Sequence, residues 1–551
     1  MTWVTEQLGV RGGWRRVLAA LGFAALCVGQ VHCGASDSDD SGGGFGAAGP
    51  GVGGVGGSNS GGGSGGNGGG GGTGGSEPPP PEQELESSFK APVATGRYVW
   101  TANPDSGRVA LIDAFSYEVQ VVEAGFQPTY LAAVSKPDDD RDVAIVLNTG
   151  SLDATLFSVR AGGIDSFTAK VHRGANAWAL SPSGRWAIAW TDYRVVTELD
   201  PTDGFQDLTV IDLSASSPKA TRLSVGFRPT RLFFDAGEDH VYVVTEPGIS
   251  TLDLGDDPRV GLLLPLDQDE FDTPTGRDVT VTPDGGHAFV RREGSPDIEI
   301  LDLGDGSRRS LSLSGPVTDL DLTDDGTRGV AVVRSSSEAV LFDVDEILAD
   351  TSNFSVVPIL GATVGSVSLP ADPRRALLYS NAIGSDRVVI LNLEAGDDFL
   401  NQRAVALKAP VLAVFPTRDA SHAVSLMTPP TNSSKAGAFG LIPVDTALAP
   451  KIVGTDASPR QVAVSPDGTR AVVTVRDDTR QMYGAYLARM PSLQVDYQPL
   501  ASPPLAVGVV PAADRAFIAQ SHPEGRITFI DLEDGSARTL TGFELGAKVV
   551  D

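Results

Sequence analysis

An apolar run that closes on aspartate returns again and again along this chain, and that recurrence restricts the fold more than any other feature. It appears as VALIDA (closing at Asp113), LTVIDL (Asp212), ISTLDL (Asp253), IEILDL (Asp302), AVLFDV (Asp343), VVILNL (Asn392) and ITFIDL (Asp531). Degenerate copies close at Ser158, Pro443 and Ala488. The ten copies follow one another at intervals of 41 to 54 residues. A fixed period of this length is the mark of a repeat architecture, in which each unit buries its faces only against its neighbours.

A second mark precedes most copies: an apolar stretch, a tight turn, then another apolar stretch. DVTVTPDGGHAFV (Asp278–Val290) and QVAVSPDGTRAVVTV (Gln461–Val475) are clear examples. Alternation on both sides of the turn reads as half-buried strands. Pro-Asp-Gly suits the turn because Pro fixes φ, Asp bonds to its own backbone and Gly accepts a positive φ. Two hairpins per unit of about 46 residues give four antiparallel strands, which is the spacing of a β-propeller blade. The expected fold is therefore all-β, a propeller of about ten four-stranded units spanning residues 91–551. One ring is favoured because no linker interrupts those residues, with two smaller propellers as the alternative. A helical turn is expected only near Asp345–Asp350.

The stretch RYVWTANPDSGRVALID (Arg97–Asp113) matches RAFIAQSHPEGRITFID (Arg515–Asp531) in length and in the offset of Gly-Arg. By this pattern the first unit begins at its second strand, and LGAKVVD (Leu545–Asp551) follows the last outer strand. Closure by pairing of the N- and C-terminal strands is therefore expected, with 545–551 completing the first blade.

Arg11, Arg15 and Arg16 precede an apolar run from Val17 to Cys27, which reads as a secretory signal. Eleven residues are too few for a spanning helix, which needs about 20. After Cys33 the chain becomes rich in Gly and Ser and ends in Pro78–Pro81. A signal, a cysteine and a polar tether together resemble a bacterial lipoprotein. That resemblance implies a signal over residues 1–33, lipid attachment at Cys33, a tether over residues 34–90, and a place on the outer membrane or cell surface. Periplasmic or freely secreted protein is the alternative.

The repeat units themselves resemble the YVTN family of propeller repeats. Tyr98-Val99-Trp100-Thr101-Ala102-Asn103, Ser106-Gly107, Ile112-Asp113 and Gly125-Phe126-Gln127-Pro128 follow that family's order, and SPDG recurs at Ser465–Gly468. The resemblance implies a fold and little about function, because the shared residues belong to turns and core.

Formal net charge is −28, from 70 acidic and 42 basic residues. A surface this acidic repels phosphate backbones, so nucleic acid is not an expected partner. Both cysteines, Cys27 and Cys33, precede the repeats, which excludes disulfides and thiolate chemistry from the ring. His240, His287 and His422 share a rim position with Arg and Trp in other units, which argues against a metal site. His172 and His522 have no partner visible in the sequence. The acidic groups Asp267, Asp269, Glu270, Asp272 and Asp138–Asp140 read as solvated loops, since the first departs from the calcium-loop pattern. The recurring Asp residues are expected to cap turns. No catalytic, cofactor or metal residue is assigned. The expected role is an envelope binding or scaffold module for a protein, peptide or glycan, touching the membrane through a lipid anchor only. The alternative is hydrolysis: lactonases have sevenfold propellers that resemble these repeats and use charged residues converging on the channel.

Overall fold

The computed structural model describes residues 92–134, 141–160, 163–214, 218–266, 276–395, 401–429, 432–522 and 524–542. They form ten separate four-stranded antiparallel sheets, the blades of one propeller. Blade 1 runs from Val93 to Glu123, blade 2 from Pro128 to Lys170, blade 3 from Ala177 to Ser224, and blade 4 from Arg231 to Pro265. Blades 5, 6 and 7 cover Arg277–Ser312, Asp319–Pro358 and Ser366–Ala406. Blades 8, 9 and 10 cover Val411–Thr455, Ser458–Pro499 and Pro504–Thr541. In every blade the strands pair in chain order. Neighbouring first strands approach one another at the hub, so they line the central channel, and the fourth strands form the outer wall.

The side-chain pattern follows from a sheet with two buried faces. In the second strand of blade 6, Val330 and Val332 pack with Val367 and Leu378 of blade 7. Ala331, pointing the other way, joins Phe289 and Ile300 of blade 5. Both parities are buried, so second and third strands read as unbroken apolar runs. Fourth strands have only one covered face, and Val119–Glu123 is correspondingly half-buried or exposed throughout. Ten apolar clusters result, each shared by two adjacent blades. The tenth joins Val99, Ile112 and Ala114 of blade 1 to Val510, Phe517 and Phe529 of blade 10. That cluster closes a single ring and removes the alternative of two smaller propellers.

The ring closes differently from the sequence expectation. Val93 and Ala94 pair with Trp100 and Val99, so blade 1 supplies its own first strand. Two residues are too few to show an alternating pattern, which hid this strand in the sequence. Residues 545–551 lie outside the described residues. Closure among the described residues rests on packing and hydrogen bonds across the seam. Ala512 N donates to the Gly96 carbonyl at 3.0 Å. Arg515 donates to the carbonyls of Ala114 and Phe115. The Arg515 and Arg538 guanidinium groups lie 4.7 and 4.5 Å from the Tyr117 ring centroid.

The turns bear out the local reading. Asp113, Asp212, Asp302, Asp343, Asn392 and Asp531 each accept from a backbone N–H two residues ahead. At Asp343 the same cap starts the helix Val344–Ala349 in place of a turn. Gly107 and Gly525 occupy the left-handed region at φ 72° and 70°, which explains why the matched stretches both need glycine there.

Candidate functional site

Two of the rim histidines stand opposite the aspartates that close the repeat because they are cross-strand partners, while His422 stands opposite Pro443. His240 pairs with Asp253 and His287 with Asp302, as Arg515 does with Asp531. The imidazole–carboxylate distances across these pairs are 3.8 and 3.7 Å. His240 also meets Asp235 at 3.0 Å, and His422 meets Ser421 Oγ at 2.9 Å. The three histidines sit in separate blades. Among the described residues no group of three His, Cys, Asp or Glu could hold a metal ion. The acidic loop residues Asp267, Asp269, Glu270 and Asp272, the turn Asp138–Asp140, and Cys33 lie outside the described residues.

His172 and His522 do have partners. His172 is buried, with Nδ1 3.0 Å from Thr209 Oγ1 and Nε2 3.4 Å from Thr191 Oγ1. Burial pushes its pKa down to about 4, so it is a neutral core residue at pH 7. His522 Nδ1 accepts from Glu524 N at 3.2 Å.

A charged belt crosses the hub at blades 4 to 7, although no converging set is legible in the sequence. Arg231 on the first strand of blade 4 reaches Asp278 of blade 5 at 3.3 Å and donates to the Val279 carbonyl at 3.0 Å. Arg291, the cross-strand neighbour of Asp278, approaches its other oxygen at 3.8 Å. Asp319 of blade 6 is buried and accepts from Val367 N of blade 7 at 2.8 Å and from Leu320 N at 2.9 Å. Asp321, two residues along the same strand and hence on the same face, is half-buried. Burial pushes the Asp319 pKa up to about 6 against the pull of Arg291. Burial, with the negative charges of Asp319 and Asp278, raises Asp321 well above the usual carboxylate range. The available signal was charge on three successive inner strands, RLFF, RDVTV and DLDL, where most blades carry apolar or small residues.

These shifts set a pH dependence. The folded state keeps the Asp319 proton to higher pH than the unfolded chain, so stability falls as pH rises from about 4 to about 6. Asp321 extends that fall upward. His172 acts oppositely, losing stability as pH falls from 6.5 toward about 4. The difference between variant and wild type isolates the belt. Asp321→Asn should gain stability over wild type progressively as pH rises above about 4, read by urea unfolding. A pH-independent difference would contradict the belt's assigned charge.

The two faces of the ring differ. The upper face carries the second-to-third turns and the connections between blades, and the lower face carries the repeated first-to-second turns. Phe126, Leu152, Val195, Leu199, Leu360, Ile383, Met482 and Leu505 are exposed large apolar residues on the upper face, against Phe115 and Leu448 on the lower, while others such as Leu262, Leu263 and Tyr497 lie on the outer wall. First strands of blades 2, 8, 9 and 10 also bulge near their upper ends. The bulges take Thr129, Leu412, Arg460, Gln461 and Leu505 out of ladder register at the channel mouth. Gln461 Nε2 donates to the Leu505 carbonyl at 3.0 Å, tying two bulges together.

No family model matches the chain. No curated protein matches it either. Solved structures similar to it include the dihydro-heme d1 dehydrogenase NirN in complex with DHE, at 15% identity and TM-score 0.42 over 66% of this chain and 75% of that one. Hydrazine synthase of Kuenenia stuttgartiensis aligns at 13% identity and TM-score 0.32, over 50% and 81%. A eukaryotic initiation factor aligns at 11% identity and TM-score 0.48, over 70% and 94%. Likeness at these identities is a matter of fold alone.

Proposed function

We propose that this chain is an exported propeller that holds a partner on its upper face. Cys33 would carry a lipid anchor on the bacterial outer membrane or cell surface. The observation that carries the partner reading is the unequal placement of exposed apolar side chains between the two ring faces, with Phe126 and Leu360 foremost on the upper one. Loops on a rigid scaffold are where binding residues concentrate. Their chemistry suits a protein or peptide better than a glycan. A Gly/Ser-rich tether of about 45 residues spans roughly 35–40 Å, enough to present either face to a partner.

A photo-crosslinking amino acid at Phe126 or Leu360 should yield a discrete adduct in intact cells, and the same probe at Phe115 or Leu448 should not. Equal adducts on both faces, or adducts on the lower face alone, would overturn the partner reading. Labelled fatty acid should enter the wild type and disappear in Cys33→Ala. Label that persists in that variant would remove Cys33 as the anchor.

A hydrolytic reading has one observation in its favour, the half-buried Asp321 among Asp278, Asp319 and two arginines at the hub. A carboxyl whose proton burial and neighbouring negative charges hold more tightly than usual suits a general acid. Lactone hydrolysis by the wild type that Asp321→Asn abolishes would favour it over partner binding.

A further inference from the structure

A pocket of about 300 Å³ opens at the seam between blades 10 and 1, lined by Leu505, Gln520, His522, Arg526, Ile527 and Thr101. Its origin lies in the short first strand of blade 1. Val93–Ala94 covers only Val99 and Trp100 of the second strand, so among the described residues no strand pairs with the inner edge beside Thr101. In blade 10 the corresponding pairing runs to Gln520, the upper end of its strand. The mismatch leaves a gap, and the bulged Leu505, 47% exposed, borders it.

The matched stretches of the first and last blades show what is special here. Arg108 and Arg526 hold the same position, each following the left-handed glycine. Arg108 faces Glu123 across the outer pair of strands, with Nε 2.9 Å from the carboxylate. Arg526 faces Thr541 instead, and its Nε donates to Thr541 Oγ1 at 3.2 Å. Its Nη1 donates to Ser502 Oγ at 3.1 Å. Among the described residues it has no carboxylate within 4.0 Å. Two hydroxyls fix the fork while its charge stays uncompensated. Because His522 Nδ1 accepts from Glu524 N, the neutral ring carries its proton on Nε2 as a second donor. Gln520, 4% exposed, is locked by Thr528 and Ser502 beneath.

We infer that the seam pocket is a binding site for a small monocarboxylate with an apolar body. Arg526 would take the carboxylate, for which a guanidinium fork is the geometric match, while Leu505 and Ile527 cover the apolar part. The volume sits at the low end for small-molecule sites. The net charge of −28 repels polyanions, so one local arginine favours a single negative charge over a phosphate. The site shares Leu505 with the upper face, and its test by a small carboxylate is read separately from the adducts sought at Phe126 and Leu360.

The probe is phenylacetate at pH 7, titrated calorimetrically into the full chain, with phenylacetamide as its neutral counterpart. Phenylacetate should bind at least tenfold more tightly than the amide. Arg526→Gln should weaken it at least tenfold. Thr541→Glu, which rebuilds the blade 1 pair and keeps the arginine, should do the same with an unchanged melting temperature. Absence of binding to the wild type, equal affinity for the amide, or undiminished binding by Thr541→Glu would overturn the assignment.

Discussion

Replacing Asp278 by alanine is expected to cost about 3–5 kcal/mol of folding stability, the range seen when one partner of a buried ion pair is removed. Asp278 is the carboxylate between two arginines, and the Arg231 side chain is only 6% exposed. Without Asp278, Arg231 keeps the Val279 carbonyl but loses its ion pair with that carboxylate. A compensation exists: Arg231, Arg291, Asp319 and Asp321 together would be neutral, so Asp321 would ionise more easily. Rigid inner strands limit that relief, since Asp319 is already bonded to the amides of Val367 and Leu320. The uncovered Arg231 therefore dominates. Asp278→Asn retains a carbonyl acceptor for the arginine and should recover part of the loss. Urea-unfolding midpoints at pH 7 give the comparison. A loss below about 1 kcal/mol for the alanine variant would mean the arginines find water or other acceptors, and the belt would hold nothing together.

What the sequence disclosed and what it hid divide by the range of the interaction. The cap at Asp302 and the left-handed Gly525 are set by residues within a turn, and such chemistry is written in consecutive letters. Burial on both faces of the second strands was equally visible, because a blade cannot otherwise cover itself. The belt was not visible. Asp278 and Asp319 are separated by a whole repeat, and each alone reads as the polar member of an alternating strand. Only the ring places them side by side. Arg526 reads in the sequence as part of a repeat, yet its difference from Arg108 lies in the residue opposite, Thr541 against Glu123. That difference needs the strand register before it can be seen. The first strand of blade 1 escaped for the opposite reason: two residues carry too little pattern.

Phe529→Ala should open the ring at its seam. Phe529 is 1% exposed, packs with Val99, Ile112 and Phe517, and meets the Tyr117 ring edge-on at 5.4 Å. Truncating a buried phenylalanine costs about 3–5 kcal/mol, transfer and cavity together. Phe439→Ala between blades 8 and 9 should cost a similar amount, since Phe439 is equally buried. The two losses differ in where they appear. Blades 8 and 9 are joined by a two-residue connection, Asp456 and Ala457, whereas blades 10 and 1 have no such direct connection. Seam contacts are therefore the ones that can separate while every blade stays intact. Hydrogen exchange should rise about 100-fold or more for Val99–Ala102 and Phe517–Ala519 in Phe529→Ala, since each 1.4 kcal/mol of lost opening free energy is tenfold. The same amides should stay protected in Phe439→Ala. Exchange that rises evenly around the ring in both variants would mean that closure is cooperative with the whole propeller, and that the seam has no separate stability.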